Sequence, residues 1–102
     1  MNRYKVITLC GSSKFKDDFL REKMRLNLAG NIVLDKNVFF NVEDDMNLSL
    51  LDNIENAMID MSDEIFIINR GGYIDRDTRR KINYATISGK PIKYMEINYA
   101  RN

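Results

Sequence analysis

The fold is decided by one stretch of the chain, Glu64-Ile65-Phe66-Ile67-Ile68-Asn69-Arg70-Gly71-Gly72-Tyr73-Ile74-Asp75-Arg76-Asp77-Thr78-Arg79-Arg80-Lys81-Ile82-Asn83-Tyr84-Ala85. Its first part, residues 65–68, is a continuous apolar run without alternation, which is typical of a strand covered on both faces in a parallel sheet. Gly71 and Gly72 then break the strand, and a polar loop follows. The stretch therefore predicts a buried strand, a glycine turn, a loop and the start of a helix.

The beginning of that helix is a candidate anion site. Asp77 or Thr78 can cap the helix, and its first turn holds Arg79 and Arg80. Free backbone N–H groups and guanidinium groups would therefore converge on one spot. If the chain has a ligand site, we expect it here.

Hydrophobic periodicity predicts three further strands and two further helices around this stretch. The strands are predicted at 4–10, 31–34 and 91–95. A first helix has Ser12 or Ser13 as its cap and ends at Gly30, a second spans 47–61, and the third runs from about 78 to 88. The apolar faces expected to point inward are Phe15, Phe19, Leu20, Met24 and Leu28 in the first helix, Leu51, Ile54, Met58 and Met61, widened by Leu48 and Leu50, in the second, and Ile82, Ala85 and Ile87 in the third.

Strands that alternate with helices through short turns form a βαβαβαβ chain, whose right-handed crossovers build a parallel sheet. We therefore predict an α/β fold with one three-layer domain of the flavodoxin or Rossmann type over residues 1–102. The sheet should have about four strands in the order 2-1-3-4. At 102 residues the chain is long enough for one core and too short for a second.

Composition excludes several classes of function. The formal net charge of +1 lacks the Lys and Arg excess of a general nucleic-acid binder. The single Cys10 excludes an intrachain disulfide, and the absence of His removes Ser-His, Cys-His and His-metal chemistry, so no metal or cofactor is predicted. No apolar run approaches the roughly 20 residues of a membrane span, and residues 1–5 lead into a strand rather than a signal peptide. We expect a cytoplasmic protein without a membrane partner.

Residues 35–46 form a connection that is long for so small a domain, and Val38, Phe39 and Phe40 interrupt it. Loops of this length are usually functional or mobile. The two adjacent phenylalanines either form an apolar wall for a planar ligand or pack beneath the loop, and the sequence leaves both possibilities open.

Two loops are expected to face one crevice at the carboxyl edge of the sheet, because the connections out of neighbouring strands 1 and 3 diverge to opposite faces. They are Gly11-Ser12-Ser13-Lys14 and Gly71-Gly72-Tyr73-Ile74-Asp75. Each loop is rich in glycine or hydroxyl groups and leads into a helix N-terminus. The pair predicts a ligand that carries phosphate or sugar groups.

Five short motifs also resemble those of a known family. They are Leu9-Cys10-Gly11-Ser12-Ser13, Asp60-Met61-Ser62-Asp63, Asn69-Arg70-Gly71-Gly72-Tyr73, Thr78-Arg79-Arg80 leading to Tyr84-Ala85, and Gly89-Lys90-Pro91. Together they are similar to the nucleoside 2-deoxyribosyltransferase-like family, which includes 2′-deoxynucleoside 5′-phosphate N-hydrolases and many small bacterial and phage proteins. The resemblance covers nearly the whole chain, and it implies frequent assembly into homo-oligomers.

The resemblance also implies a catalytic mechanism, and this chain lacks one of the residues that the mechanism needs. Active family members cleave an N-glycosidic bond with a third-helix glutamate that attacks the anomeric carbon, and a nearby aspartate assists the leaving base. The glutamate belongs four residues before Ala85, where this chain has Lys81, whose ammonium cannot act as that nucleophile. Asp75 matches the family's loop aspartate in spacing, and the other carboxylates available are Asp77, Glu43, Asp44 and Asp45.

Three hypotheses follow. In the first, the chain binds a nucleotide or nucleoside without the family's nucleophile and sequesters or senses it. The residues expected at the ligand are Gly11, Ser12, Ser13, Phe39, Phe40, Gly71, Gly72, Tyr73, Asp75, Asp77, Thr78, Arg79 and Lys81, the last being either a cation facing the ligand or a solvated helix residue. In the second, it is an active N-glycosidase or deoxyribosyltransferase that uses Asp75 or a partner chain's carboxylate. In the third, it is an interaction module, and a homodimer or higher homo-oligomer is expected throughout.

Overall fold

The computed structural model describes residues 3–36 and 45–99, and these residues alternate between strands and helices as predicted. The elements are β1 (Lys5–Gly11), α1 (Lys16–Leu28), β2 (Asn31–Asp35), α2 (Asp45–Met61), β3 (Glu64–Ile68), α3 (Arg76–Ile87) and β4 (Ile92–Tyr94). Short 3₁₀ turns lie at Ser13–Phe15, Arg70–Gly72 and Ile97–Tyr99. Within the described residues, no helix combines the length and apolarity needed to cross a membrane.

The four strands form one all-parallel sheet in the order β2-β1-β3-β4, which confirms the predicted α/β fold and strand order. The two central strands, β1 and β3, run side by side from the pair Ile7 and Glu64 to the pair Gly11 and Ile68. Their carboxyl ends are therefore adjacent, so the loops that leave them start from neighbouring points on one edge of the sheet.

Helices cover both faces of the sheet. On one face, α1 contributes Phe19 and Leu26 to a core with Ile7, Leu9, Phe66 and Ile68. On the other face, α2 and α3 contribute Ile59 and Ala85 to a core with Cys10, Ile65 and Ile67. All five residues of β3 are buried, and the side chains of residues 65–68 enter the two cores alternately, which explains the uninterrupted apolar run over these four residues.

The inward faces of the helices differ from the predicted ones. The residues predicted inward but found exposed are Leu20, Met24 and Leu28 in α1, Leu48, Leu50, Ile54 and Met61 in α2, and Ile87 in α3. In α1, Phe19 is buried as predicted, and Leu26, which was not predicted inward, is buried with it. An α-helix turns about 100° per residue, so Leu26 lies within about 20° of Phe19, whereas Leu28 lies about 180° away. Apolar residues spaced by four drift round the helix and form a second, outward row.

Candidate functional site

The loops that follow β1 and β3 contact each other at the carboxyl edge of the sheet. The rings of Phe15 and Tyr73 pack edge to face with their centroids 6.0 Å apart. The Nζ atom of Lys14 lies 3.5 Å from the centre of the Tyr73 ring, where the ring quadrupole attracts a cation. The two loops therefore meet through an aromatic contact and a cation, and the ligand crevice between them stays a prediction.

Gly11, the last residue of β1, lies where β1 and β3 are too close together for a side chain. A Cβ atom at this position would lie 2.8 Å from both the Cβ and the carbonyl oxygen of Ile68, and 3.3 Å from Cε2 of Phe19. These distances to Ile68 are shorter than any ordinary van der Waals contact. The glycine is therefore required by packing between β1 and β3, whatever the loop binds.

An ion pair fastens the second loop to α1. The Arg70 guanidinium donates from Nε to Oδ2 of Asp18 at 2.7 Å and from Nη2 to Oδ1 at 2.5 Å. Arg21 donates from Nη1 to the same Oδ1 at 2.7 Å, and the Asp18 side chain is only 7% exposed. The hydrogen bonds from Arg70 are the main reason that the pKa of Asp18 is lowered. Such bidentate pairs hold both partners in one geometry.

We expect Asp18→Asn to lower the free energy of unfolding at neutral pH by about 1.5 kcal/mol, because a charge-assisted pair is lost while both arginines keep access to water. A carboxyl group whose pKa is lowered in the folded protein stabilises the fold at pH values above its ordinary pKa of about 4. This stabilisation disappears as the pH falls through the pKa that the group has in the folded state. Urea unfolding from pH 7 to pH 3 should therefore show a shallower loss of stability for the variant. Asp17→Asn, at the exposed neighbouring residue, should follow the parent protein. Identical pH dependence in all three proteins would contradict the assignment.

The amide groups of the glycine turn are already bound within the protein. Gly71 (φ +65°) and Gly72 (φ +81°) adopt left-handed backbone conformations. The Gly71 N–H donates to Oε2 of Glu96 at 2.8 Å, and the Gly72 N–H donates to the carbonyl oxygen of Asn69 at 2.8 Å. The buried Asn69 side chain in turn exchanges two hydrogen bonds with the backbone of Glu96. This turn is therefore tied to the segment that follows β4.

Helix α3 begins two residues earlier than predicted, and its cap is Asp75, so the prediction of Asp77 or Thr78 as the cap is wrong. Oδ1 of Asp75 accepts from the Thr78 N–H at 2.8 Å. Burial acts to raise the pKa of Asp75, but the hydrogen bonds from Thr78, the charge of Lys36 and the Ser12 hydroxyl outweigh it, so the pKa is lowered. An ionised carboxylate thus stands at the start of α3.

The remaining predicted residues of this helix start point in different directions. Thr78 is buried, and the Asp77 carboxylate is exposed and pairs with Arg80 at 3.1 Å. Arg79 is exposed, and its backbone N–H donates to the carbonyl oxygen of Asp75 at 3.0 Å. Both predicted cations of this turn, Arg79 and Arg80, are exposed, but the Arg80 guanidinium is paired with Asp77 and Asp52.

Lys81, at the position where the resemblance places a nucleophile, is buried and bound to α2. Its Nζ atom donates to Oδ1 of Asp52 at 2.6 Å, to Oδ1 of Asn56 at 2.9 Å and to the carbonyl oxygen of Asp52 at 3.1 Å. An ammonium has three N–H donors, and all three have acceptors here. Of the two alternatives for Lys81, the solvated helix residue is wrong, because the side chain is 5% exposed, and the cation facing a ligand stays untested.

Glu55 is a carboxylate of this region that the sequence analysis did not select. Burial raises its pKa, and the charges of Lys36 and Lys81 offset this only partly. Every fully buried side-chain polar atom in residues 3–36 and 45–99 has a hydrogen-bond partner, whereas the Glu55 carboxylate has no hydrogen bond or ion pair there. The residue as a whole is half-buried. The available signal was position, because Glu55 lies one helical turn before the fully buried Ile59.

Lys36, which follows β2, interacts electrostatically with both the Glu55 and the Asp75 carboxyl groups. Its charge acts on the pKa of both Glu55 and Asp75, and also on that of Cys10 at the end of β1. Burial, followed by the charge of Glu55, raises the pKa of the Cys10 thiol to about 12, so this cysteine stays protonated and unreactive at neutral pH. The edge of the sheet therefore holds two carboxyl groups whose pKa values move in opposite directions.

The other predicted residues are distributed as follows. Ser12 is buried and its hydroxyl accepts from the Lys14 N–H at 3.3 Å, Ser13 is exposed, and Tyr73 is 45% exposed. Asp45 is the first residue of α2, and Phe39, Phe40, Glu43 and Asp44 lie outside the described residues. The structure thus brings Ser12, Tyr73 and Asp75 to one edge and turns Lys81 away into the contact between α2 and α3.

These features define a small three-layer α/β domain of the Rossmann or flavodoxin type, with polar side chains at the carboxyl edge of its central strands. No family model matches the chain, and no curated protein matches it.

Proposed function

We propose that this chain binds a nucleoside or nucleotide at the carboxyl edge of β1 and β3, without the nucleophile of the deoxyribosyltransferase-like proteins that it resembles. The observation that carries the proposal is the state of Lys81. This residue replaces the expected glutamate, and its ammonium is fully hydrogen-bonded to Asp52 and Asn56. The position therefore offers neither a carboxylate for attack nor a vacant N–H donor, and the bound ligand stays intact.

The charges at this edge favour a ligand that donates hydrogen bonds over one that presents phosphate first. The Asp75 carboxylate already occupies the start of α3, and the Gly71 amide is bound to Glu96. A phosphate would meet negative charge where a helix N-terminus normally attracts it. We therefore assign Asp75, with Ser12 beside it, to a sugar hydroxyl or a base amino group, and the Tyr73 ring to the flank of the ligand. We assign the exposed Arg79 to the phosphate of a ligand that carries one.

The test is calorimetric titration of the protein with deoxynucleosides and their monophosphates. Asp75→Asn should weaken binding by about tenfold or more, because a charged acceptor is replaced by a neutral one. Asparagine is as good a helix cap as aspartate, so the variant should fold. Asp77→Asn is the matched control, since Asp77 lies two residues away and is exposed. The proposal fails if no compound of either class binds, or if both variants lose binding equally.

A second candidate function is N-glycosidic cleavage by Glu55 and Asp75. It is favoured by their opposite pKa shifts, a pattern that separates an acid from a base in hydrolytic sites. Glu55, whose carboxyl pKa is raised by burial, is the candidate acid that would give a proton to the departing base as the bond from nitrogen to the anomeric carbon breaks. Ionised Asp75 would take a proton from the water whose oxygen bonds to that carbon. The products are a free base and a free sugar.

This second function predicts free base in solution. Glu55→Gln and Asp75→Asn should each lower the rate of base release by about 100-fold or more, the usual contribution of a positioned acid or base. Asp77→Asn should leave the rate unchanged. Absence of base release from the parent protein would eliminate this function while leaving the binding proposal intact.

A further inference from the structure

The glycine turn after β3 holds a carboxylate of its own chain at one backbone amide. The Gly71 N–H donates to Oε2 of Glu96 at 2.8 Å, whereas the next two amides along the turn donate to backbone carbonyl oxygens. Gly71 is exposed, so this hydrogen bond lies at the surface of the protein. The amide of Gly71 is therefore the one of the three that binds an anionic group.

The turn would suit an anionic ligand if this carboxylate were absent. It follows the carboxyl end of a central parallel strand, where open α/β sheets bind their ligands. Turn amides and arginine side chains both bind phosphate oxygens, and Arg70 in this turn has a side chain that is 54% exposed. Among the described residues, no atom beyond the adjoining ones lies within 4 Å of the place that a Gly71 Cβ would take. The turn therefore has room for a ligand.

Glu96 is held beside the turn by its backbone, independently of its carboxylate. The fully buried Asn69 side chain accepts from the Glu96 N–H at 2.9 Å and donates to the Glu96 carbonyl oxygen at 3.2 Å. The preceding Met95 N–H donates to the carbonyl oxygen of Ile67 at 2.9 Å. Removal of the carboxylate would thus leave the segment in place. The neighbouring Gly72 amide is satisfied by a neutral carbonyl oxygen, so the turn does not require a charged acceptor.

The Glu96 carboxylate makes the turn unfavourable for a second anion. Its charge reaches Arg70 as well as the Gly71 amide, since the pKa of the Arg70 guanidinium is raised chiefly by the hydrogen bonds to Asp18 and also by the charge of Glu96. A phosphate at the turn would have to displace the carboxylate or lie beside it, and like charges at short distance repel. A neutral hydroxyl or amino group avoids this repulsion and can donate to the carboxylate.

We propose that Glu96 is a specificity-determining residue, whose carboxylate keeps phosphate groups out of the glycine turn and accepts a hydrogen bond from a neutral group of the ligand. This role rests on the proposed binding of a nucleoside or nucleotide at the carboxyl edge of the sheet. The part of the ligand that lies against the turn is then a sugar hydroxyl or a base amino group. A phosphate, where the ligand carries one, lies away from the turn.

Inorganic phosphate is the first probe, because its binding to the turn requires no nucleoside. The backbone amide signal of Gly71 in NMR spectra reports the occupation of the turn. Glu96→Ala should bind phosphate at least about tenfold more tightly than the parent protein, since the freed N–H can donate to an anion and the repelling charge is gone. The Gly71 signal should move as the phosphate concentration rises.

Glu22→Gln is the matched control for the loss of a negative charge. The charge of Glu22 also acts on Arg70, but its carboxylate pairs with Arg25 and its removal frees no amide of the turn. Its phosphate affinity should therefore stay within about twofold of the parent, because solvent screens a charge that does not touch the phosphate.

Calorimetry with a deoxynucleoside and its monophosphate then measures the selectivity. Glu96→Ala should shift the ratio of the two affinities toward the monophosphate by about tenfold or more. Glu96→Gln removes the charge but keeps an oxygen for the Gly71 amide, so it should shift the ratio in the same direction and by less. It replaces Glu96→Ala if circular dichroism shows that the alanine variant is unfolded.

Two outcomes would overturn the role of Glu96. One is a folded Glu96→Ala that matches the parent in phosphate affinity and in the Gly71 signal, and the other is an equal shift of selectivity in Glu22→Gln. If neither the deoxynucleoside nor the monophosphate binds to any of these proteins, the proposed function fails instead. The titration with inorganic phosphate then still decides whether Glu96 keeps anions out of the turn.

Discussion

Gly11→Ala should lower the free energy of unfolding by about 3 kcal/mol, at the upper end of the usual cost of overpacking a core. The added methyl group would stand 2.8 Å from two atoms of Ile68, one of them a backbone oxygen. Neither strand can yield easily, because β1 and β3 are the hydrogen-bonded centre of the sheet. Without this clash, alanine would raise the free energy of unfolding by up to about 1 kcal/mol, because it restricts the unfolded chain more than glycine does. A decrease in the free energy of unfolding would therefore indicate the clash.

The measurement is urea unfolding monitored by circular dichroism. Ser13→Ala, in the exposed turn two residues further on, is the control and should change the free energy by less than about 0.5 kcal/mol. A stability of Gly11→Ala equal to or above that of the parent would show that the two strands separate without cost. Ligand binding, rather than packing, would then be the explanation for a glycine at position 11.

Lys81→Met should lower the free energy of unfolding by about 2 to 3 kcal/mol while leaving nucleoside affinity unchanged. Methionine keeps the apolar stem but removes three hydrogen bonds from a side chain that is 5% exposed. The loss is smaller than for a fully buried pair, because the Asp52 side chain is 34% exposed and retains Arg80 at 2.6 Å. Affinity is unaffected because the lost bonds all go to α2.

The control is Arg79→Met, which removes a positive charge from the same helix at an exposed position. Its stability should stay within about 0.5 kcal/mol of the parent. The pKa of Asp52 is lowered chiefly by its hydrogen bond from Lys81, so that bond stabilises the protein above the ordinary carboxyl pKa and is lost in acid. Lys81→Met should therefore differ most from the parent at neutral pH. A stable Lys81→Met that no longer binds nucleoside would contradict the assignment.

Much of the fold could be predicted because its signals are local. The unbroken apolar run of β3 requires cover on both faces, and this requirement selects a parallel sheet with helices on each side. The end of α1 was also predictable, since Gly30 adopts φ +92° directly after the helix. These features depend on neighbouring residues alone.

The faces of the helices could not be predicted with the same success. Helices α1 and α2 each carry two apolar rows, and spacing alone does not say which row meets the sheet. The choice of Phe19 over Leu28, or of Ile59 over Ile54, depends on how each helix is rotated on the strands. That rotation is set by tertiary packing.

The sequence predicted that the loops after β1 and β3 lie together, which the contact between Phe15 and Tyr73 confirms, but it did not predict the partners of the residues around them. The replacement of the expected glutamate by Lys81 was visible in the sequence, whereas its partners Asp52 and Asn56 lie more than twenty residues earlier and are joined to it only by the fold. Asp75 and Asp77 are chemically equal caps, and the start of α3 decides between them. Glu55 was overlooked because a carboxylate on an inward helix face resembles a surface residue until its surroundings are known.

The proposal of binding without cleavage is tested most directly by incubating the purified protein with deoxynucleosides and their monophosphates. The released and the retained compounds are then identified by mass spectrometry. Binding without cleavage predicts that an intact nucleoside or nucleotide is recovered from the denatured protein and that no free base accumulates. Free base that accumulates with time in the parent protein, and is absent with Glu55→Gln, would contradict this claim and establish an N-glycosidase.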